Sequence, residues 1–216
     1  MRAGRYAAMP TELLDGVYDV TCADTETGRI RAFLFADGTL VDSGLPGTTD
    51  ALIEGIEATG IEPKRLVVTH ADRDHVGGFD ALVRELWLET YVPEGATIDS
   101  EYDPDHRYGD GDEVGPFEAV HVPGHRDSQH ALVDEDGGVA VMADAVSGAD
   151  QRGLPAGYFH LPPAVYTDDL EQAEASLERL TEFEFDAGLV FHGSSVLSNA
   201  DKKLEAYSTG GSGYDP

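Results

Sequence analysis

The chain has 216 residues, and its 42 acidic residues against 14 Lys and Arg give a formal net charge of −28. Such a chain lacks the basic patches that bind phosphate groups, which excludes nucleic acid as a partner. No segment approaches the ~20 apolar residues of a membrane span, and the N-terminus lacks an apolar signal core, so we expect no membrane association. The length suffices to bury a full core. We predict a single domain over residues 1–207 and a disordered tail over 208–216.

The acidic residues are spread along the chain, and only three of the basic residues are lysines. Like charges on such a surface repel strongly at low salt but hardly at ~1 M, where the Debye length is about 3 Å. This composition is typical of a cytoplasmic protein from a salt-loving organism such as a halophilic archaeon. The alternative is a merely acidic protein from an ordinary organism. The one cysteine, Cys22, excludes an intramolecular disulfide, fits a reducing cytoplasm and is expected to be buried.

Short alternating or apolar runs predict strands separated by helices, which is typical of the α/β class. The strand runs span 17–22, 30–35, 39–42, 65–69, 117–122, 129–133, 138–142 and 188–191. A first helix begins near Thr48 and ends before Gly60, and a second spans Phe79 to Leu88. Asp168 and Glu171 form a capping-box pattern for a third helix. Its apolar stripe consists of Leu170, Ala173, Leu177, Leu180 and Phe183.

The segment 69–78 places four potential metal ligands directly after the apolar run 66–68. A strand that delivers such a cluster to its own end indicates a metal site. Imidazole and carboxylate together suit zinc, iron or manganese, whereas oxygen-only sets suit calcium or magnesium. The alternative is a polar loop that contains two histidines. The four candidate ligands are His70, Asp72, Asp74 and His75.

Three later apolar runs also end at a ligand-type residue beside Gly, Pro or a small residue. These residues are His125 after Pro123–Gly124, Asp144 after residues 141–143, and His192 before Gly193. Four strand ends therefore carry one kind of chemistry, which favours a metal centre over an isolated polar loop.

This ordered set resembles the metallo-β-lactamase superfamily. The pattern of that superfamily is H-x-H-x-D-H, then a His in a P-G-H turn, a strand-end Asp and a final His-Gly. The resemblance runs from about residue 15 to 206 and implies an αββα sandwich of two mixed sheets flanked by helices. The segment 40–44 resembles the early D-x-G motif, in which Asp42 would orient a ligating histidine. The other interpretation of Asp42 is a simple turn residue before Gly44.

The resemblance also implies a ligand set for two divalent metal ions, zinc or iron, with manganese as a further option. A first ion would take His70, Asp72 and His125, a second Asp74, His75 and His192, and Asp144 would bridge them.

Asp72 departs from the family pattern, because it stands where the second His of H-x-H is expected. With three aspartates and a bridging hydroxide around two divalent ions the site is neutral, whereas a His at position 72 would leave it with one positive charge. A less positive site acidifies its water less and favours a harder ion such as iron or manganese over zinc. The alternative is that Asp72 is not a ligand and only the second site fills.

The function expected from these residues is that of a metal-dependent hydrolase. A metal-bound hydroxide would attack an ester, a thioester as in glyoxalase II, or a lactone, so no Ser or Cys nucleophile is required. Asp74 would orient the hydroxide as well as bind metal. The alternatives are a non-haem iron oxygenase or reductase of the same fold, and a metal-binding member without catalytic activity.

The other histidines and the connection after Asp144 receive weaker assignments. His121 lies in an alternating strand pattern and is expected to support the structure or the ligands. In the superfamily, the connection after the strand-end Asp often shapes the substrate pocket, so small-molecule substrate contacts are expected there, with ordinary loop anchoring as the alternative. No pattern in the sequence indicates an oligomeric state. The expected substrate contacts are Arg152, Tyr158, His160 and Tyr166.

Overall fold

The computed structural model describes residues 9–25 and 28–209, which form two compact units. The first contains the described residues of 1–92 and 96–107, and the second those of 93–95 and 108–216. Within the described ranges, no helix combines the length and apolar character needed to cross a membrane.

The first unit is built on a seven-stranded mixed sheet in the order β1-β2-β3-β4-β5-β6-β7. Strands β1 to β4 pair antiparallel in succession, whereas β5 pairs parallel with both β4 and β6. The strands are β1 (Thr11–Leu14), β2 (Val17–Thr25), β3 (Gly28–Phe35), β4 (Thr39–Val41), β5 (Arg65–Val67), β6 (Glu89–Pro93) and β7 (His106–Tyr108).

Three helices belong to the first unit: α1 (Thr49–Thr59), the single turn α2 (Arg73–Val76) and α3 (Phe79–Leu86). The core lies between the sheet and the apolar faces of α1 and α3, because residues three and four apart fall on one side of a helix. The strands contribute Val20, Ala32, Leu34, Leu40 and Leu66 to this core, and the helices contribute Leu52, Ile56, Phe79 and Leu82.

The second unit has a five-stranded mixed sheet in the order β14-β11-β10-β9-β8 and a small sheet of β12 and β13. The parallel pair is β11 with β14, and the neighbours β8, β9, β10 and β11 run antiparallel. The strands are β8 (Glu113–Val114), β9 (Phe117–His121), β10 (His130–Asp134), β11 (Val139–Val141), β12 (Ser147–Gly148), β13 (Phe159–His160) and β14 (Ala187–Leu189).

The helices of the second unit are α4 (Leu170–Ser176), the 3-10 helix Leu177–Glu182 that continues it, and α5 (Ala200–Ser208). Two further 3-10 helices span Ala149–Arg152 and Ala164–Tyr166. The core forms where one sheet face meets α4, its extension and α5. Its members include Val120, Val133, Ala140, Met142, Leu177, Leu180, Phe185 and Leu204.

The α/β class and the two mixed sheets agree with the sequence prediction. Each of the eight predicted strand runs contains a strand, although the run 65–69 ends as a strand at Val67. The prediction that Cys22 is buried is confirmed. The predicted disordered tail over 208–216 begins too early, because Ser208 is the last residue of α5. Residues 210–216 lie outside the described residues, and the single-domain assignment stays a prediction.

Two helix predictions need correction. The helix expected to reach Leu88 ends at Leu86, because Trp87 adopts a left-handed conformation (φ 56°) and its N–H donates to the carbonyl of Val83. The helix expected from Asp168 to Phe183 is α-helical only over Leu170–Ser176. Its cap is Asp169, whose side chain accepts the N–H of Gln172.

Asp168 precedes the cap: its backbone N–H donates to the carbonyl of His125 at 3.3 Å, and its carboxylate pairs with the Arg126 guanidinium at 3.3 Å. The next N–H, of Asp169, donates to the carbonyl of Gly124 at 2.9 Å, which fixes the approach to α4 against the turn at 123–125. The helix therefore begins one residue later than the capping-box pattern predicts.

Candidate functional site

In the first unit, the four candidate ligands lie within a short segment after β5. Asp72 occupies the N-cap position of α2, and its carbonyl accepts the N–H groups of His75 and Val76 at 2.9 and 3.0 Å. Its side chain makes no capping hydrogen bond. The turn therefore brings two histidines and two aspartates together and leaves the Asp72 carboxylate out of helix capping.

Asp42 lies behind these ligands and is fully buried. It follows β4 in a left-handed conformation (φ 63°), which Asp tolerates better than most residues. Its carboxylate accepts the Thr69 N–H at 2.8 Å, the Thr69 hydroxyl at 2.7 Å and Nδ1 of His75 at 2.7 Å. Burial raises the pKa of the Asp42 carboxyl above its usual value, and the contacts with His75 and Thr69 act in the opposite direction. Three donated hydrogen bonds are satisfied by an ionised carboxylate, which has only acceptors.

The hydrogen bonds of Asp42 fix which ring nitrogen of each histidine faces away from it. His75 donates through Nδ1, so Nε2 carries the lone pair. The single proton of the Thr69 hydroxyl goes to Asp42, so this hydroxyl accepts from Nδ1 of His70 at 3.0 Å. In the neutral form of each ring, Nε2 of His75 and of His70 is then unprotonated. Both histidines present the tautomer that a metal ion requires.

The two aspartates of the segment lie beside these Nε2 atoms. An Asp72 carboxylate oxygen is 3.8 Å from Nε2 of His70, and an Asp74 oxygen is 3.9 Å from Nε2 of His75. The two imidazole rings are 4.0 Å apart between centroids. Asp72 thus stands at nearly the same distance from His70 as Asp74 from His75, and the ligand role of Asp72 stays a prediction.

The segment 42–44 also holds the end of the ligand turn. The backbone N–H and the hydroxyl of Ser43 donate to the carbonyl of His75 at 2.7 and 2.9 Å. The close approach of these two segments requires Gly77 and Gly78, which follow the ligand turn. A Cβ on Gly77 would lie 2.2 Å from Pro46, and one on Gly78 would lie 2.4 Å from the Ser43 carbonyl oxygen.

In the second unit, Asp144 lies between two of the predicted ligands. One of its carboxylate oxygens is 3.5 Å from Nε2 of His125 and 3.3 Å from Nε2 of His192. His125 lies between β9 and β10, Asp144 follows β11 and His192 follows β14. Each of these residues lies in the loop that follows its strand, three or four positions beyond the strand end. Asp144 and His125 are buried, and the His192 side chain is 20% exposed.

The turn that carries His125 packs directly on the start of α4. Gly124 has φ 129°, and a Cβ there would lie 2.2 Å from the backbone nitrogen of Ala173. The Thr167 hydroxyl donates to the carbonyl of Pro163 at 3.1 Å and stands 3.5 Å from Nδ1 of His125. The hydroxyl can accept from Nδ1 in that position, which directs Nε2 toward Asp144.

The turn that carries His192 is held by a residue that the sequence reasoning missed. Asp150 accepts both the backbone N–H and the hydroxyl of Ser194, each at 2.7 Å. The partners are 44 residues apart in the chain. No local pattern signals such a contact, whereas the supporting role of Asp42 was visible in a motif.

His121 belongs to a different network of the second unit. Its Nε2 is 2.6 Å from the carbonyl of Asp127, its backbone N–H donates to Asp110, and its carbonyl accepts from Arg179. Its ring lies against that of His130 across the β9–β10 pair, at 4.9 Å. These contacts favour the structural part of the sequence expectation for His121.

The four expected substrate contacts make the following interactions. Arg152 and His160 both hydrogen-bond to the carbonyl of Leu161, and burial lowers the pKa of His160. The Tyr158 ring lies under the ammonium group of Lys203 at 5.7 Å, and Tyr166 is 57% exposed. Backbone anchoring accounts for Arg152 and His160, so a substrate role for any of the four stays a prediction.

The donor atoms of both units fit a divalent transition metal. They are imidazole nitrogens together with carboxylate oxygens, and in His70, His75 and His125 the other ring nitrogen has a hydroxyl or carboxylate partner. This mixture suits zinc, iron or manganese more than calcium or magnesium, which take oxygen ligands alone.

Comparison with known proteins places this geometry in a family. Residues 36–192 match the Metallo-beta-lactamase superfamily. A probable metallo-hydrolase of Bacillus subtilis, YflN, is 24% identical over 196 residues, with coverage of 71% of this chain and 74% of that protein. A hydroxyacylglutathione hydrolase of Xylella fastidiosa is 32% identical over 97 residues, which cover 42% of this chain and 36% of the hydrolase.

Solved structures of the same fold are also similar. A metallo-β-lactamase from Pontibacter korlensis superposes with a TM-score of 0.72 at 19% identity, covering 91% of this chain and 94% of that protein. The metallo-β-lactamase FIM-1 from Pseudomonas aeruginosa, in its mono-zinc form, gives a TM-score of 0.71 at 17% identity and covers 94% and 95%. At these identities the likeness establishes the fold.

Proposed function

Because the chain belongs to the metallo-β-lactamase superfamily and is a metallo-hydrolase of that group, we propose that it hydrolyses a small ester, thioester or lactone with two bound divalent metal ions. The proposed ligands are the predicted histidines and aspartates of both units. They are His70, Asp72, Asp74, His75, His125, Asp144 and His192.

The observation that carries this proposal is the hydrogen-bond pattern behind the ligands. Asp42 accepts a hydrogen bond from Nδ1 of His75, and the Thr69 hydroxyl accepts one from Nδ1 of His70, which leaves both Nε2 atoms as lone-pair donors. A polar loop without a metal has no need for two buried histidines held in the same tautomer. Groups that accept a hydrogen bond from the other ring nitrogen of a ligating histidine orient the ring and raise its basicity.

Bound metal ions would supply an acidified water and polarise the substrate carbonyl. The residues of the chain hold the geometry for that chemistry. We assign to Asp74, whose side chain is 28% exposed, the task of orienting the attacking water and accepting its proton. Asp42 is buried away from solvent and acts through His75, so its task is positioning.

The preference for a thioester, as in glyoxalase II, is supported by the similarity to hydroxyacylglutathione hydrolases. That similarity covers 36% of the Xylella protein, so the proposed substrate class is inferred from a match to only part of that hydrolase. Asp72 supports a preference among the proposed metals. A carboxylate beside His70 makes the site less positive and favours iron or manganese relative to zinc.

We further propose that the protein works at high salt in the cytoplasm of a halophilic archaeon, on a small molecule and without nucleic acid. The net charge of −28 supports this environment, since a surface with so many acids is stabilised when salt screens it. The same charge disfavours binding to phosphate backbones.

The test begins with metal analysis of protein prepared in about 2 M KCl, a salt level that screens its charge. A panel of thioester, lactone and phosphodiester substrates then follows. We expect about two metal ions per chain and thioester or lactone hydrolysis that a chelator removes and added metal restores. A folded chain that binds metal fully and turns over none of the panel would contradict the hydrolase proposal.

A further inference from the structure

The connection between Asp144 and the 3-10 helix at Ala149–Arg152 is fastened to the His192 turn at two points. The Gly148 N–H donates to the carbonyl of His192 at 2.8 Å. Two residues later, the Asp150 carboxylate accepts both donors of Ser194 at 2.7 Å. We call Gly148, Asp150, His192 and Ser194 the clasp.

The clasp is tightly packed, so its two sides have little freedom to move apart or slide. A Cβ on Gly193 would lie 2.6 Å from the Gly148 carbonyl oxygen and 3.0 Å from an Asp150 carboxylate oxygen. A Cβ on Gly148 would lie 2.5 Å from the Ser194 backbone and 2.9 Å from the same carboxylate. Only glycine at both positions allows Asp150 to reach Ser194.

The Asp150 side of the clasp is itself anchored. Gly148 pairs with Phe159 in the β12–β13 sheet, and the Ala149 N–H donates to the carbonyl of Tyr158 at 2.8 Å. The N–H of Gly153 closes the 3-10 helix on the carbonyl of Asp150 at 3.0 Å. Because its own backbone is anchored in this way, the Asp150 carboxylate can restrain the position of the turn at 192–194.

We propose that Asp150 is a positioning residue that sets where the imidazole of His192 stands relative to Asp144. The chain leaves Asp144 and reaches Gly148 in four residues, and the clasp joins this stretch to the residue that bears the imidazole. The Asp144 oxygen and Nε2 of His192 are 3.3 Å apart. The proposal rests on the proposed function only in that both residues are taken as metal ligands.

The test compares three variants for their affinity for zinc alone, measured on metal-free protein by competition with a chromogenic chelator. Asp150→Ala removes both acceptors and should weaken zinc binding by about 10- to 100-fold, the usual effect of losing a residue that orients a ligand. Asp150→Asn should stay within about threefold of the wild type, because its amide oxygen accepts the Ser194 N–H and its amide nitrogen donates to the hydroxyl. Ser194→Ala loses one of the two hydrogen bonds and should fall between them.

A matched control is Asp134→Ala. Asp134 also accepts a turn N–H, that of Gly137 at 2.8 Å, but at the end of β11 opposite to Asp144. Zinc affinity should be unchanged in this variant. Equal zinc affinity of Asp150→Ala and the wild type would overturn the proposal, as would equal loss in the Asp134 control. If Asp150→Ala does not fold, the other two variants decide: Ser194→Ala should bind zinc more weakly than Asp150→Asn, and equal affinity of the two would overturn the proposal.

Amide hydrogen exchange gives a readout that needs no metal. The reporter is the Gly148 N–H, which donates to the His192 carbonyl at 2.8 Å. Its protection should fall in Asp150→Ala and persist in Asp150→Asn, because the first variant lets the whole turn loosen. Unchanged protection at Gly148 would overturn the positioning role. A wild type that binds zinc but hydrolyses nothing would refute the proposed function and leave Asp150 to be judged by affinity and exchange.

Discussion

Nδ1 of His75 donates to the Asp42 carboxylate at 2.7 Å, and both side chains are buried. This hydrogen bond determines the tautomer of a candidate ligand from a residue 33 positions away in the chain. Asp42, directly after β4, therefore holds the loop after β5 in place through its hydrogen bonds to Thr69 and His75.

Asp42→Asn should weaken metal binding by about 10- to 100-fold while the chain stays folded. The amide offers one acceptor oxygen where the carboxylate offers two, so it cannot accept all three donors from Thr69 and His75. Metal titration of the purified variant measures the loss.

The control for that substitution is Asp37→Asn. Asp37 accepts the Thr39 N–H, the Thr39 hydroxyl and the Arg65 guanidinium at 2.9, 2.8 and 2.7 Å, a set much like that of Asp42. It lies at the β3–β4 turn and contacts no candidate ligand among the described residues. If both variants bind metal like the wild type, the support that we assign to Asp42 is wrong.

His125→Ala and His192→Ala should each reduce hydrolysis by more than about 100-fold and leave the far-ultraviolet circular dichroism unchanged. Each substitution deletes a ligand in a loop that follows a strand. Turnover at wild-type rates in either variant would refute the assignment of that residue. His106→Ala serves as control, because the His106 side chain is 47% exposed and pairs with Glu89.

The residues that the sequence identified are those whose role is marked locally. His70, Asp74 and His75 follow an apolar run within a few positions, His70 in the loop after β5 and the other two in the turn α2. Their supports are harder to foresee. The Thr69 hydroxyl joins Asp42 to His70 only because two parallel strands, β4 and β5, lie side by side.

Asp150 and the end of α4 show why the remainder could not be predicted. Asp150 meets Ser194 across 44 residues, and nothing in the intervening sequence specifies that approach. The change from α-helix to 3-10 helix at Leu177 occurs without Gly or Pro, in residues whose apolar spacing fits a continuous helix. Leu177 and Leu180 are both buried in the core of the second unit, so tertiary contacts that the local pattern does not contain act on this segment.

His130 should make folding stability depend on pH. Burial lowers its pKa, its Nδ1 donates to the carbonyl of Ser128 at 2.9 Å, and the rings of His121 and Tyr108 face it at 4.9 and 5.2 Å. Asp110 and Arg179 supply the nearby charges. The unfolded chain therefore takes up the proton at higher pH than the folded protein does. Stability is full above about pH 6.5 and is lost as pH falls from there through the lowered pKa.

His130→Asn should remove this part of the acid sensitivity, since an amide can keep the hydrogen bond to Ser128 without titrating. Denaturant unfolding between about pH 5 and 8, at constant high salt, measures how steeply the free energy of unfolding changes with pH. The exposed His106→Asn variant provides the comparison. A slope in His130→Asn that matches the wild type would show that other groups cause the acid sensitivity.

Thermal stability should rise as KCl increases from ~0.1 M to ~2 M, because salt screens repulsion among the carboxylates. One contact makes the effect testable at a defined place. Glu113 and Glu118 are direct partners across the β8–β9 pair, where like charges are destabilising. Glu113→Gln should raise the melting temperature at low salt and have little effect at high salt. A melting temperature that is flat or falling with KCl would refute the high-salt proposal.

Asp72 offers the sharpest test of the metal assignment. If it is a ligand, Asp72→His restores the usual family set, adds one positive charge to the site and shifts metal preference toward zinc. The added charge should also lower the pKa of the water at the site and move the acidic limb of the pH–rate profile downward.

Asp72→Ala should instead lose about one metal ion per chain, because the remaining ligands of that site hold an ion weakly. Asp50→His is the matched control, since Asp50 is an exposed residue in the first turn of α1 and undergoes the same change of charge. Metal content measured on all three variants, together with their pH–rate profiles, separates the two interpretations. Unchanged metal content and an unchanged profile in both Asp72 variants would make Asp72 a loop residue. Catalysis would then rest on one ion held by Asp74, His75 and His192.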